Sequence, residues 1–85
     1  MTTIKIALLG FGTVAQGTFN LLQDNAELIK NRTGVNVEIS KIYVRNPEKY
    51  SHITLPETAQ YVTNIDDVLQ DDNIQMVVEL MGGTT

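Results

Sequence analysis

The chain of 85 residues contains no cysteine and no tryptophan, and it has only two prolines and one histidine. Without cysteine there is neither a disulfide framework nor a thiolate metal site, which suits a cytoplasmic protein. The six Lys and Arg residues are scattered and the net charge is −4, so we expect no nucleic-acid or membrane-surface partner. The longest apolar runs are too short to cross a bilayer.

Chemically reactive clusters are also missing from the sequence. The one histidine, His52, stands between Ser51 and Ile53 in a predicted loop. We find no candidate pair of nucleophile and base, and we assign no catalytic residue and no metal site. Apolar residues make up 42% of the chain and charged residues 19%, which is the composition of an ordinary globular protein. We therefore expect one small domain over residues 1–85, with a modest core.

The most informative segment is an apolar strand over residues 4–9 that leads through a glycine turn into a helix over residues 13–32. Gly10 permits a tight turn, Gly12 lets the backbone approach phosphate oxygens, and Ala15 supplies the small residue needed where helix meets strand. The free N–H groups at the helix start attract an anion. This arrangement predicts a dinucleotide pyrophosphate site, with a plain strand–turn–helix as the alternative. The predicted cofactor-binding residues here are Gly10, Phe11, Gly12, Thr13, Val14 and Ala15.

The rest of the chain alternates strands with helices and loops. Apolar spacing predicts that the first helix buries one face. The residues on that face are Val14, Thr18, Leu21, Leu22, Asn25 and Ile29, with Leu28 beside them. Gly34 is placed to end that helix in a left-handed conformation. The further predicted elements are a strand at 35–44 with a bulge near Ser40 and Lys41, an irregular segment at 46–59, a strand at 61–63, a helix at 65–70 capped by Asn64, and a strand at 74–81.

This element order predicts an α/β fold with a parallel sheet. Right-handed crossovers place the second strand beside the first, the third beyond it, and the fourth on the other side of the first. The predicted strand order is 3-2-1-4, which is half of a doubly wound Rossmann-type fold. The crevice between strands 1 and 4 then lies beside residues 10–14 and beside Met81, Gly82 and Gly83.

The end of the second strand carries the signal for cofactor choice. It reads Tyr43-Val44-Arg45-Asn46, with no carboxylate before Glu48. An acid at this place holds the ribose 2′-hydroxyl of NAD, whereas an arginine pairs with the 2′-phosphate of NADP. Arg45 therefore favours NADP and leaves NAD open, and the alternative is an arginine that is simply solvated at a strand end.

Three segments of the sequence occur together in a distinctive order. They are residues 6–17 with Gly-Phe-Gly-Thr-Val-x-x-Gly, residues 32–39 followed by Val44-Arg45-Asn46, and residues 77–83 with Val-Val-Glu-Leu-Met-Gly-Gly. Together they resemble the N-terminal nucleotide-binding region of homoserine dehydrogenase. The resemblance extends over essentially the whole chain. One departure is Ala15, where the family more often has glycine, and it still satisfies the need for a small residue.

The resemblance implies an NAD(P)-dependent oxidoreductase that interconverts L-homoserine and L-aspartate 4-semialdehyde, in the biosynthesis of threonine and methionine. It implies cofactor-binding roles for residues 10–14 and Arg45, and for Met81, Gly82 and Gly83 on the nicotinamide side. The family's substrate-binding and catalytic residues lie beyond position 85. We therefore expect a fragment that binds cofactor and does not catalyse the reaction by itself.

Two other functions remain compatible with the residues, namely a non-catalytic NAD(P)-sensing module and the cofactor domain of an amino-acid dehydrogenase. A further expectation concerns the fourth strand, whose residues 74–81 are interrupted by only one charge, at Glu79. An apolar strand at a sheet edge is a template for pairing with another chain. We therefore expect a homo-oligomer formed through this strand.

Overall fold

The computed structural model describes residues 2–80, which form four strands, two helices and one 3-10 turn. All strand pairs are parallel and their order is β3-β2-β1-β4, which confirms the predicted topology. The elements in chain order are β1 (Thr2–Leu9), α1 (Thr13–Thr33), β2 (Val35–Tyr43), the 3-10 turn (Pro47–Tyr50), β3 (Gln60–Val62), α2 (Asp66–Leu69) and β4 (Met76–Glu79).

Strand β1 forms the centre of the core because it has a partner strand on each side. Its residues Ile6, Ala7 and Leu8 are all buried, so both of its faces are covered, as is usual in a parallel sheet packed between layers. On the neighbouring strand β2, Ile39 and Ile42 are likewise buried. The glycine turn follows β1 directly, so it is held by the most rigid part of the domain.

The predicted bulge in β2 is confirmed by the strand register. Ile6 pairs with Ile39, and the next residue, Ala7, pairs with Lys41, so Ser40 is the extra residue on the β2 side. A bulge changes which face of the sheet the following side chains occupy. This change explains how Ile39 and Ile42 are both buried although they are separated by an odd number of positions.

Helix α1 buries a stripe that agrees only in part with the predicted face, which included Leu22 but not Phe19. Ala15 and Phe19 are its buried residues, and Leu22 packs against the same cluster. The expectation for Val14 and Leu21 was wrong, because these side chains are 55% and 63% exposed. The reason is that Ala15 is fully buried in the core cluster, which fixes the side of the helix that faces the sheet. Val14 lies on a different side of the helix, and its side chain is therefore largely in solvent. The predicted helix end is confirmed, since Gly34 has φ 75° and its N–H donates to the Lys30 carbonyl.

The elements after residue 45 differ from the predictions in their bounds. Residues 46–59 were predicted to be irregular but include the 3-10 turn at Pro47–Tyr50, which proline favours in its first position. Strand β4 covers only Met76–Glu79, the length that pairs with residues 6–9 of β1, and Met81 lies outside the described residues. The N-cap residue of α2 is Ile65 and not Asn64 as predicted, and no side chain caps the helix. Asn64 lies one residue earlier, and its Oδ1 accepts from the Asp66 N–H at 2.9 Å. Within residues 2–80, neither helix is both long and apolar enough to cross a membrane.

Lys41 connects the bulge of β2 to the end of α2. Its Nζ donates to the Asp67 carbonyl at 2.7 Å and forms an ion pair with Asp71 Oδ2 at 2.9 Å. The Lys41 hydrogen bond lowers the pKa of the Asp71 carboxyl, and a second hydrogen bond from the Asn73 N–H lowers it further. The charged form of Asp71 therefore stabilises the turn that leads into β4.

We predict that Asp71→Asn lowers the free energy of unfolding at neutral pH and that this loss disappears in acid. A carboxyl with a lowered folded-state pKa contributes stability above its unfolded pKa, about 3.9, and the contribution is lost as pH falls through the folded pKa. Urea unfolding of the wild type and of Asp71→Asn, at pH 7 and near pH 3, measures the loss in the free energy of unfolding. Asp72→Asn is the control, because Asp72 is the neighbouring aspartate and is exposed. Equal losses at the two pH values would contradict the role of the Lys41–Asp71 pair.

Candidate functional site

The glycine turn between β1 and α1 is anchored to the neighbouring strand at its first residue. Gly10 has φ 96°, a left-handed conformation that favours glycine, as the sequence predicted. Its N–H donates to the Tyr43 carbonyl at the end of β2, at 2.8 Å. This bond joins the carboxyl ends of β1 and β2, where a cofactor binds in folds of this type.

Phe11 is the next residue of the turn, and its buried side chain holds it in place. The ring is 2% exposed and makes edge-on contacts with three other rings, those of Phe19, Tyr50 and Tyr61, with centroid distances of 5.6, 5.5 and 5.8 Å. The whole chain has two phenylalanines and three tyrosines, so four of its five aromatic residues gather beneath this turn. We call these four residues the aromatic cluster.

The aromatic cluster also holds the 3-10 turn against the glycine turn. The Tyr61 hydroxyl donates to the Tyr50 carbonyl at 3.3 Å. Burial raises the pKa of the Tyr61 phenol, and the nearby Tyr50 adds to the effect, so Tyr61 remains a neutral donor. Lys49 places its ammonium 6.0 Å from the centre of the Tyr50 ring. The segment after β2 is thus held beside the glycine turn by packing and by one hydrogen bond.

Helix α1 begins at this turn without a side-chain cap. Gly12 is the N-cap residue, no side chain accepts a hydrogen bond from the first turn, and that turn contains no acidic residue. The first N–H groups of a helix have no partner inside the helix and carry the positive end of its dipole. A Cβ built on Gly12 would meet no atom within 4 Å. The helix therefore presents open donors behind a residue that leaves the approach free.

A cleft with a volume of about 780 Å³ lies over the turn. Its walls come from four places: the glycine turn with the start of α1, the end of β2, the 3-10 turn, and the residue after β4. The residues that line it are Gly10, Phe11, Gly12, Thr13, Val14, Tyr43, Val44, Arg45, Asn46, Lys49, Tyr50 and Leu80.

The structure brings most of the predicted site residues into this cleft. Five come from the turn, from Gly10 to Val14, and Arg45 joins them from the end of β2. Ala15 does not line the cleft, because it is fully buried in the core, where its small size allows the helix to contact the sheet. The predictions for Met81, Gly82 and Gly83 lie outside the described residues.

Several cleft residues were not found from the sequence. Asn46, Lys49 and Tyr50 line the cleft but belong to a segment that was predicted to be irregular. Pro47 is the signal that was available, since proline at the first position of a helical turn is common. A turn at that place reverses the chain and returns Lys49 and Tyr50 to the end of β2.

The charge of the cleft suits an anion. Two cationic side chains, Arg45 and Lys49, line it, and the described lining includes no aspartate or glutamate. Arg45 is exposed, so its guanidinium is free to form paired hydrogen bonds with a phosphate. Within residues 2–80, no three His, Asp or Glu side chains gather in a way that could hold a metal ion.

Comparison with known proteins gives the same result as the geometry. A family model described as the NAD-binding domain of homoserine dehydrogenase matches residues 10–85. The homoserine dehydrogenase of Pseudomonas aeruginosa is 42% identical over 86 aligned positions, which cover 100% of this chain and 19% of that protein.

Solved structures agree with the sequence relatives. A homoserine dehydrogenase from Thiobacillus denitrificans superposes with a TM-score of 0.82 at 40% identity, covering 98% of this chain and 19% of that one. The S. aureus homoserine dehydrogenase at pH 7.5 has a TM-score of 0.87 at 29% identity, covering 96% and 21%. This chain thus spans about a fifth of the length of these relatives. It belongs to the family of homoserine dehydrogenase NAD-binding domains.

Proposed function

We propose that this chain binds NADP in preference to NAD across the cleft, with the pyrophosphate over Gly12 and the adenosine ribose beside Arg45. The observation that carries the proposal is the uncapped start of α1 behind a glycine with open space at its Cβ position. Such a helix start binds phosphate groups through backbone N–H donors. The preference for NADP rests on Arg45 and on the absence of an acid from the described cleft lining.

The proposed positions of the pyrophosphate and of the adenosine ribose also indicate where the adenine and the nicotinamide would bind. Tyr50 and Val44 line the cleft together with Arg45 and would offer apolar surface to the adenine. The nicotinamide would extend past Val14 and Leu80, and we propose Met81, Gly82 and Gly83 as further residues that bind it. When bound, the nicotinamide supplies hydride transfer, and the protein supplies its placement.

We further propose that the protein to which this domain belongs acts as a homoserine dehydrogenase, interconverting L-homoserine and L-aspartate 4-semialdehyde. Its place would then be the biosynthesis of threonine and methionine, in the cytoplasm. The support is the family match over residues 10–85 together with the cofactor site. Residues 1–85 would be the cofactor-binding part of such an enzyme, and its catalytic groups would come from outside them.

We predict that Gly12→Val abolishes NAD and NADP binding while the protein remains folded. A Cβ at Gly12 meets no protein atom and the residue has φ −70°, so valine fits the backbone and extends into the space proposed for the pyrophosphate. Titration calorimetry with each cofactor measures binding, and thermal unfolding measures the fold.

Gly17→Ala is the matched control, because a Cβ there also meets no atom within 4 Å and Gly17 does not line the cleft. Alanine inside a helix is more stable than glycine by up to about 1 kcal/mol, so this variant should unfold at a higher temperature with unchanged affinity. A folded Gly12→Val protein that binds as tightly as the wild type would overturn the proposed pyrophosphate site.

We predict that Arg45→Ala removes the preference for NADP. A hydrogen bond to a charged group contributes about 1.5–3 kcal/mol, so the NADP affinity should fall by roughly tenfold or more while the NAD affinity changes little. The control is Arg32→Ala, which removes an exposed arginine from the last turn of α1, away from the cleft. An unchanged ratio of the two dissociation constants would show that Arg45 does not contact the 2′-phosphate.

We also propose that the 85-residue chain self-associates through β4. Among the described residues β4 is at an edge of the sheet, and its Met76 and Val77 are 50% and 44% exposed. Two copies related by a two-fold axis would pair these strands antiparallel and close the interface.

Light scattering over a concentration series is expected to give a mass that rises from monomer to dimer. Val77→Lys should keep the protein monomeric, because a charged side chain on an edge strand opposes pairing. Leu21→Lys is the control, since Leu21 is also an exposed apolar residue but lies on α1. A monomeric mass for the wild type at every concentration would contradict the proposal.

A further inference from the structure

Gln16 makes a side-chain contact with the glycine turn in addition to the ordinary backbone bond that its position on α1 requires. Its side-chain Nε2 donates to the Phe11 carbonyl at 2.8 Å, and its backbone N–H donates to the Gly12 carbonyl at 2.9 Å. The backbone bond is the first i→i−4 bond of α1 to its N-cap residue, whereas the side-chain bond reaches one residue further back, to Phe11. Gln16 is partly buried and does not line the cleft.

The peptide between Phe11 and Gly12 is the weakly constrained part of this turn. Rotating its plane changes the φ of Gly12, and glycine adopts positive and negative φ with similar ease. The C=O and N–H of a trans peptide point in opposite directions, so a rotated plane exchanges a donor for an acceptor on each side. The freedom that permits close approach of a phosphate at Gly12 thus also permits an unfavourable orientation.

The other anchors of the turn do not control this plane. The Gly10 N–H bond to Tyr43 fixes the residue before Phe11, and the aromatic cluster fixes the Phe11 side chain. Among residues 2–80, the Phe11 carbonyl accepts no hydrogen bond other than that of Gln16. The orientation of the peptide therefore depends on that one side chain.

We infer that Gln16 is a positioning residue that holds the Phe11–Gly12 peptide with its carbonyl toward the helix and away from the bound pyrophosphate. The inference rests on the proposed cofactor site. In the rotated orientation, the negative end of the carbonyl dipole would face the phosphates and oppose their binding. Gln16 thus acts on affinity without touching the cofactor, and it acts on NAD and NADP alike because both carry the same pyrophosphate.

The test is Gln16→Met, which keeps the length of the side chain and removes its donor. One net hydrogen bond is about 0.5–1.5 kcal/mol, so both dissociation constants should rise by roughly three- to tenfold and their ratio should stay constant. This result differs from that of Arg45→Ala, which alters the ratio. Gln23→Met is the matched control, because Gln23 is an exposed glutamine on the same helix.

A second measurement needs no ligand and reports the orientation directly. Backbone ¹⁵N relaxation dispersion should show new exchange at Gly12 in Gln16→Met and none in Gln23→Met, and a side chain that acted only through general stability would not move this signal. In the wild type, the Gln16 side-chain amide should exchange with solvent more slowly than that of Gln23, which stays measurable even if the variant fails to fold.

The outcomes separate this inference from the function on which it rests. A wild-type protein that binds neither cofactor would remove the proposed function. A wild-type protein that binds, together with a folded Gln16→Met that binds equally well, would overturn the role of Gln16 alone. Equal exchange rates for the two side-chain amides in the wild type would overturn it as well.

Discussion

The packing of the Phe11 ring is the interaction on which the rest of this structure depends. Phe11 follows β1, yet its ring contacts residues from α1, from the 3-10 turn and from β3. Burial of such a side chain stabilises a fold by about 1.5–3 kcal/mol, and each well-oriented ring pair adds about 0.5–1.5 kcal/mol. One side chain thus joins four segments, and it belongs to the turn that forms the floor of the cleft.

The packing of Phe11 matters because the glycine turn has two opposing requirements. Binding a phosphate through the backbone requires residues without side chains, and such residues are flexible. The structure limits that flexibility from outside the turn. Tyr43 accepts from the first glycine, the aromatic cluster holds Phe11, and Gln16 binds the Phe11 carbonyl. Open N–H donors and a fixed backbone therefore coexist at Gly12.

The uneven packing of the sheet follows from its strand order. The central strand β1 is covered on both faces, whereas β4 lies at the edge with Met76 and Val77 exposed. Lys41 connects the β2 bulge to the turn before β4 through Asp67 and Asp71. Buried contacts therefore concentrate around β1, and exposed apolar surface remains at the β4 edge of the sheet.

The sequence by itself determined the parallel sheet, its strand order and the glycine turn. These features depend on local chemistry: the positive φ of Gly10 and Gly34, the apolar run of β1, and the extra residue at Ser40 in β2. Periodicity did less well on α1, where Val14 and Leu21 were expected inside. The rotation of the helix is set by the packing of Ala15 in the core, and the spacing of apolar residues does not predict that packing.

Only the tertiary structure decided which distant residues share the cleft. Arg45 was found from its place at a strand end, but Lys49 and Tyr50 join it through a 3-10 turn held by the aromatic cluster. Likewise, the bond from Gln16 to Phe11 exists because the helix starts directly above the turn. Contacts between segments depend on how rigid elements pack in three dimensions, and local propensities do not predict that packing.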